Sequence, residues 1–278
     1  MRVALVLSLA ASPCLAQTDG DARAVRAQFL SFLGGHGCTL SPDSVDEAVA
    51  AGTARETIRD LTEAALQVGE AKEQGAYIVF DDDVCQVRLP DIVSKYTVDD
   101  PEIRAGSPYV QNEIAEGCFV EDAFTLFAEL EEFDPRAGFE AFITFVGAGI
   151  ISGDVRFYGT SPQSTPQGFQ IVTGPDCDMA PNIEQINDSH SFIADGFADY
   201  VRLVGRATEC GDPVSQEAGL FAADLQGFDH SVDVEDQPPV NAWLDFEFLF
   251  ITMAAGWHEG MTDVDRGTPR PPLCHYRN

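Results

Sequence analysis

Six cysteines constrain this chain more than any other feature. Of the seven present, Cys14 lies in "MRVALVLSLAASPCLA". There Arg2, the apolar run Val3 to Ala11 and the small residue Ala16 have the layout of a secretory signal cut after residue 16. The six that remain are Cys38, Cys85, Cys118, Cys177, Cys210 and Cys274. An even count in an exported chain reads as a disulfide framework, because thiols oxidise outside the cytoplasm. The successive intervals are 47, 33, 59, 33 and 64 residues. Equal connectors between unequal loops point to one unit used three times, over residues 17–90, 91–182 and 183–278. The flanks agree. "CQVRLPDI" follows Cys85, "CDMAPNI" follows Cys177, and "CHYRN" follows Cys274. A helical stretch precedes the first cysteine of each unit, as in "RAVRAQFLSFLGGHGC".

The first unit has the clearest pattern. Asp21 to Leu33 reads as an amphipathic helix with Val25, Phe29, Phe32 and Leu33 on one face, closed by Gly34 and Gly35. Cys38 to Leu40 is a short extended piece. Ser41 caps a second helix, with Pro42 at its first position and Gly52 past its end. Thr53 and Glu56 have the spacing of a capping box for a third helix carrying Ile58, Leu61, Ala65 and Leu66. "AYIVF", "DDD" and "VCQVRL" then read as strand, turn, strand. In the second unit Asp134 caps the helix "PRAGFEAFITFVGAGIIS", and strands follow in "DVRFYG" and "GFQIVTG" around the loop 160–167. In the third, Asp229 takes the capping place and the helix falls roughly in "VNAWLDFEFLFITMAAGWHEG". Phe250-Ile251-Thr252 there can be laid on Phe142-Ile143-Thr144.

The order helix, short strand, helix, helix, hairpin resembles the winged-helix arrangement. The resemblance implies an α+β, predominantly helical chain of three winged-helix-like units, each with a small β-hairpin and one disulfide. In such a unit the short strand pairs with the last strand of the wing, which implies Cys38–Cys85, Cys118–Cys177 and Cys210–Cys274, with directly opposed cysteines within disulfide reach. The equal intervals admit a rival set: Cys85–Cys118, Cys177–Cys210 and Cys38–Cys274. His36 reads as a surface loop residue beside the first bond. A shared layout carries no activity with it.

Charge narrows the partners. The chain has 46 acidic and 16 basic residues, net −30, and signal cleavage removes only Arg2, giving −31. That field repels phosphate backbones and anionic membrane surfaces, which argues against nucleic acid. The longest uncharged apolar run, Ala141 to Gly153, is too short for a transmembrane helix. No nucleophile elbow, zinc-protease helix, P-loop or dinucleotide fingerprint is present. No cofactor and no metal site is therefore expected, and no catalytic residue can be named. Asp188-Ser189-His190 reads as the cap of the helix that follows, not as triad parts.

Two functional readings follow. The first is an exported, disulfide-stapled repeat scaffold or binding protein of the bacterial envelope, periplasmic or secreted, whose partner is an envelope protein or a small ligand. The second is a periplasmic, hydrolase-like enzyme with a site assembled between units, for which a pocket joining His190, His230 or His258 to carboxylates would be the sign. The third unit departs most from the others, so the candidate binding surface is placed there: Trp243, Trp257, His258 and Glu259, with Asp233 and Asp236 of the acid-rich run "FDHSVDVEDQ". The competing reading of the indoles is that they fill a larger core.

Overall fold

The computed structural model describes residues 19–105, 117–120, 123–158, 168–173, 177, 183–212, 231, 243–262 and 265–277. The signal segment, residues 107–116 of the stretch "SPYVQNEIAEGC" that reads as helical in the sequence, the loop 160–167 and, in the acid-rich run, Asp229, Asp233 and Asp236 lie outside them. About half of the described residues are helical, and the strands form three small antiparallel sheets, so the fold is α+β.

The first helix, α1 (Asp19–Gly35), ends where the chain must pass directly over it. A Cβ on Gly34 would meet the Gln86 carbonyl oxygen at 2.6 Å, and the Arg88 amide donates to the Gly34 carbonyl at 3.1 Å. Phe29 and Leu33 are buried. Val25 is not, contrary to the helical-face reading: every side chain from Ala22 to Gln28 is exposed, so the first turns project beyond the core. After β1 (Thr39–Leu40) comes α2 (Pro42–Ala50), closed at its start by a reciprocal pair. Ser41 Oγ accepts the Ser44 amide at 3.1 Å, and Ser44 Oγ accepts the Ser41 amide at 2.7 Å. The box expected at Thr53 and Glu56 does not form. The Thr53 amide is engaged by the Ala48 carbonyl at the end of α2, and α3 (Arg55–Val68) starts from Ala54 with no side-chain cap.

The first hairpin also differs from the sequence reading. It is β2 (Ala71–Gln74) against β3 (Tyr77–Phe80), one strand earlier than expected, and β3 lies between β1 and β2. Gly69, at φ +76°, stops α3 soon enough to free Ala71–Gln74 for pairing, and Gly75, at φ +63°, makes the turn. The acidic triplet instead opens a turn in which the Val84 and Cys85 amides both donate to the Asp81 carbonyl. Cys85 is thus off the strand. The turn carries it back to Cys38, whose carbonyl accepts the Phe80 amide at 2.9 Å.

A short helix, α4 (Pro101–Ala105), presents Arg104, which donates to the Val98, Gly117 and Thr173 carbonyls and to Cys177 Sγ. Then follow β4 (Phe119–Val120), α5 (Ala123–Leu130), α6 (Pro135–Ser152), β5 (Val155–Tyr158) and β6 (Gly168–Ile171), with strand order β4-β6-β5. Asp134 Oδ1 accepts the Arg136 and Ala137 amides at 3.0 Å each, and Gly153 at φ +90° ends α6. α7 (Ile183–Ala207) is one continuous helix, so Ser189 sits inside it and is not a cap. The remaining elements are α8 (Trp243–Ala254), β7 (His258–Glu259) and β8 (Thr268–Pro269).

Three disulfides join Cys38 to Cys85, Cys118 to Cys177 and Cys210 to Cys274, at Cα separations of 5.7, 5.4 and 5.0 Å. The rival set that would close the equal intervals is not formed. None of the bonds joins directly opposed residues of an antiparallel pair. Cys177 lies past the end of β6, and Cys210 lies beside a parallel bridge between Glu209 and His275.

One continuous core runs from Phe29 to Leu273. Its centre is aromatic. The Phe142 and Phe250 rings are 5.6 Å apart where α6 crosses α8, and Phe157 lies 5.4 Å from Phe250. Tyr200 and Phe197 of α7 pack on Phe248 and Trp257, at 4.2 and 5.9 Å. Fully burying one such ring contributes about 2–3 kcal/mol. The tail Thr268–Arg277 crosses glycines that leave room for it. A Cβ on Gly37 would meet Pro272 at 2.2 Å, one on Gly205 the Pro272 carbonyl at 2.3 Å, and one on Gly75 the Tyr276 ring at 3.0 Å.

Candidate functional site

Three distant stretches meet at one cleft of about 890 Å³. Asp43 comes from the first turn of α2 and Arg136, Glu140 and Thr144 from α6, while His258 and Met261 come from β7 and the loop after it. Asp134 sets the N-terminus of α6 and thereby the height of Arg136 and Glu140, which follow it on successive turns. Phe139, Ile143 and Met253 make the apolar floor. A smaller hollow of about 290 Å³ adjoins the cleft, sharing Thr144 and Ala254, and Glu47, one turn after Asp43 on α2, lines it together with His36.

His258 belongs to the cleft wall and is only 8% exposed. Its Nε2 is 3.2 Å from Thr252 Oγ1, and Thr252 already donates to the Leu249 carbonyl at 3.0 Å. The ring is thus tied to α8 through Thr252, and the Arg266 backbone reaches it as well. Burial, with the charges of Arg266 and Arg270, pushes the imidazole down to about 4 against a weaker opposing bond from the Arg266 backbone. It is uncharged at neutral pH.

Beside it Arg270 organises the seam between α2 and the tail. Its Nε donates to the Gly256 carbonyl at 2.6 Å and its guanidinium lies 5.4 Å from the Tyr77 ring centre. Burial lowers its pKa, and Glu259, Asp43 and Glu47 oppose that shift. The Tyr77 hydroxyl donates to the Glu259 carboxylate. His36 is a partner in this seam and not a plain loop residue: it stacks on Phe32 at 4.3 Å and its Nε2 is 3.5 Å from Glu47 Oε2. Burial, then Arg270 and Arg88, lower its pKa, while burial and Asp43 raise that of Glu47.

No protein-family model, curated protein or solved structure matches this chain. The reading of the site rests on its geometry alone.

That geometry separates the sequence-derived candidates. His258 and Glu259 stand at the seam, the first buried and the second exposed. Trp257 is 1% exposed, packed between Phe197 and Gly37, so it is a core residue and not a surface anchor. It also lies past the end of α8, which stops at Ala254. Trp243 opens α8; Asp233, Asp236 and His230 lie outside the described residues. Among the described residues no group of three or more His, Cys, Asp or Glu could hold a metal ion.

One polar cluster escaped the sequence reading. Arg156 of β5 and Gln170 of β6 are directly opposed, and both are buried. Glu247 of α8 is 1% exposed, and burial pushes its carboxyl up to about 8 although the Arg156 charge pulls it down. Arg156 Nε, both amide atoms of Gln170 and Glu247 Oε2 have no hydrogen-bond partner. The sequence offered only Glu247 between two phenylalanines in "WLDFEFLF"; that β5 is buried on both faces is seen in the fold.

Proposed function

We propose that this chain is an exported, disulfide-stapled scaffold of three winged-helix-like units, over about residues 17–90, 91–182 and 183–278, that binds an envelope protein or ligand in the cleft where the units meet. The matching strand orders β1-β3-β2 and β4-β6-β5, both antiparallel, support the unit reading. So does the left-handed glycine that ends α3, α6 and α8 alike, at Gly69, Gly153 and Gly256. In each case the next amide bonds five residues back: Glu70 to Ala65, Asp154 to Gly149 and Trp257 to Thr252. The three disulfides are consistent with an oxidising, extracytoplasmic environment. No helix among the described residues is long and apolar enough to cross a membrane.

The observation that carries the functional part is the cleft itself. An apolar floor with a few convergent polar groups, assembled from residues more than two hundred positions apart, is the usual form of a ligand site. The hydrolase reading draws on His258, a neutral imidazole in the wall, and on the Asp43 and Glu140 carboxylates that line the same cleft, the combination expected of such a site. It is the weaker one, because the hydroxyl nearest that imidazole, Thr252, spends its proton on the Leu249 carbonyl and is wholly buried. A photo-crosslinking amino acid at Glu140, exposed on the cleft edge, tests the binding reading in the living cell. A discrete adduct that is lost when the crosslinker is moved to the exposed Asp60 is expected. Equal adducts from both positions, or none, would overturn it.

A further inference from the structure

One of the three disulfides has a cation against its sulfur. Arg104 of α4 is half-buried, and its guanidinium makes four bonds. Nε donates to the Val98 carbonyl at 2.6 Å, Nη1 to the Gly117 carbonyl at 3.2 Å and to Cys177 Sγ at 2.9 Å, and Nη2 to the Thr173 carbonyl at 3.1 Å. Gly117 precedes Cys118, and Thr173 lies four residues before Cys177, so the cation is anchored to the backbone on both sides of the bond. Three carbonyls fix the planar fork. The fourth acceptor is the sulfur, and none of these bonds goes to a carboxylate. The other two disulfides have the opposite surroundings. Cys85 Sγ lies 3.6 Å from the Leu30 carbonyl oxygen, and Cys274 Sγ lies 3.2 Å from the Pro269 carbonyl oxygen.

A disulfide sulfur is a weak acceptor and gains little from a guanidinium. The same sulfur as a thiolate carries a full charge and gains a charge-assisted bond. A neighbouring arginine therefore favours the thiolate, and a disulfide whose reduced form is stabilised is the more easily reduced. The carbonyl oxygens beside Cys85 and Cys274 do the reverse, because they turn their negative ends toward the sulfur. Burial does not separate the three bonds: Cys85, Cys177 and Cys274 are all at most 4% exposed.

We propose that Cys118–Cys177 is a redox-sensitive bond that an external dithiol opens, leaving Cys177 as a thiolate held by Arg104, while the other two bonds remain closed. One thiolate of the dithiol attacks Cys118 Sγ. A new S–S bond forms there, the Cys118–Cys177 bond breaks, and its electron pair leaves with Cys177. The second sulfur of the dithiol then closes the dithiol's own disulfide and releases Cys118 as a thiol. The dithiol loses two electrons and the protein bond takes them up. Of the dithiol's two protons, one ends on Cys118 and one in solvent. Burial of both sulfurs slows the attack and leaves the equilibrium unchanged.

The test equilibrates the oxidised mature protein with dithiothreitol at graded ratios of its reduced to its oxidised form. Alkylation and peptide mapping then read each bond separately. Cys118–Cys177 should be half reduced at a ratio at least tenfold lower than either other bond, a difference of about 30 mV. Arg104→Gln should raise that ratio severalfold, and Arg104→Lys, which keeps the charge and loses the fork, should fall between Gln and the parent. Direction separates the two possible roles of Arg104. If it only supported the fold, its loss would loosen the loop and make the bond easier to reduce. Asp176 and Asp178, which flank Cys177 in the sequence, oppose a thiolate equally in every variant. Should the Gln protein fail to fold, the Lys protein alone must still need a higher ratio than the parent. Three bonds opening together, another bond opening first, or an Arg104 variant whose ratio is unchanged or lower would each overturn the proposal.

Discussion

Replacing Glu247 with Gln should make the protein more stable, and increasingly so as the pH rises. The carboxyl ordinarily titrates near 4.5 and in the fold near 8. Between those values the folded chain holds a proton that the unfolded chain has released, so stability declines with rising pH. One pKa unit corresponds to about 1.36 kcal/mol, so the whole shift is worth about 4–5 kcal/mol, with Arg156 already included as the opposing influence. The Gln side chain has nearly the same shape and never ionises. The variant and the parent should therefore unfold alike near pH 4.5, differ by about 2–3 kcal/mol near pH 6.5, and differ by about 4–5 kcal/mol near pH 8, beyond which the gap stops growing. Urea titrations at the three pH values give the difference directly. The self-repulsion of the acidic surface is common to both proteins and cancels. A difference that stays flat from pH 5 to 8 would refute the reasoning, because it would mean that Glu247 is ionised in the fold and satisfied by Arg156.

His258 works in the opposite direction: its folded value near 4 lies below the usual 6.5, so its contribution is complete above pH 6.5 and falls as the pH drops toward 4, by about 3 kcal/mol in all. His258→Gln should abolish that acid-side loss in the same titrations. Changing Cys210 and Cys274 together to Ser should cost about 4 kcal/mol in the chain-entropy view of a 64-residue loop, read as a lowered urea midpoint. Trp257→Ala should cost about 3–5 kcal/mol, as for any large buried aromatic residue, and loss of under 1 kcal/mol would mean that the indole is not enclosed. N-terminal sequencing of the protein released by osmotic shock should begin at Gln17; retention of Met1 on cytosolic protein would end the export reading.

Local chemistry made some elements legible and hid others. α6 was bounded in advance because its signals are all local: Asp134 as cap, Pro135 in the first turn, Gly153 past the end. The first hairpin was displaced because Ala71–Gln74 is a polar edge strand with only Ala71 buried, whereas "VCQVRL" alternates as a strand should but spends that pattern on the disulfide and on packing over Gly34. Thr53 and Glu56 have capping-box spacing, yet the Thr53 amide was claimed by the preceding helix. The match of Phe142-Ile143-Thr144 with Phe250-Ile251-Thr252 does not correspond in place, since the two strings lie at different distances from the glycines that end their helices, Gly153 and Gly256. At the site, His258 could be singled out by type. Its companions Asp43 and Glu140 could not, because only the tertiary fold brings α2, α6 and β7 together. Arg156, Gln170 and Glu247 likewise read as ordinary surface residues until the strand proves to be covered on both faces.

The tail that lies across Gly37, Gly75 and Gly205 bears on how the molecule comes into being. The Tyr276 amide donates to Gln74, across a separation of 202 residues, and Pro272 lies against Gly37. Contacts so remote in sequence raise the contact order and slow folding, because the closure entropy must be met before they contribute. Cys38 and Cys85 can pair as soon as the first eighty-odd residues have emerged, but the pocket around Trp257 waits for residues 270–273. A chain threaded through a membrane from its N-terminus would thus hold a half-built, aromatic-rich core until residues 257–273 arrive, and Cys210 would stay unpaired until Cys274 follows. The glycine-floored path of the tail makes completion a late event, and Gly37→Ala, whose Cβ would stand 2.2 Å from Pro272 on a left-handed backbone, would show itself as lower stability and faster unfolding.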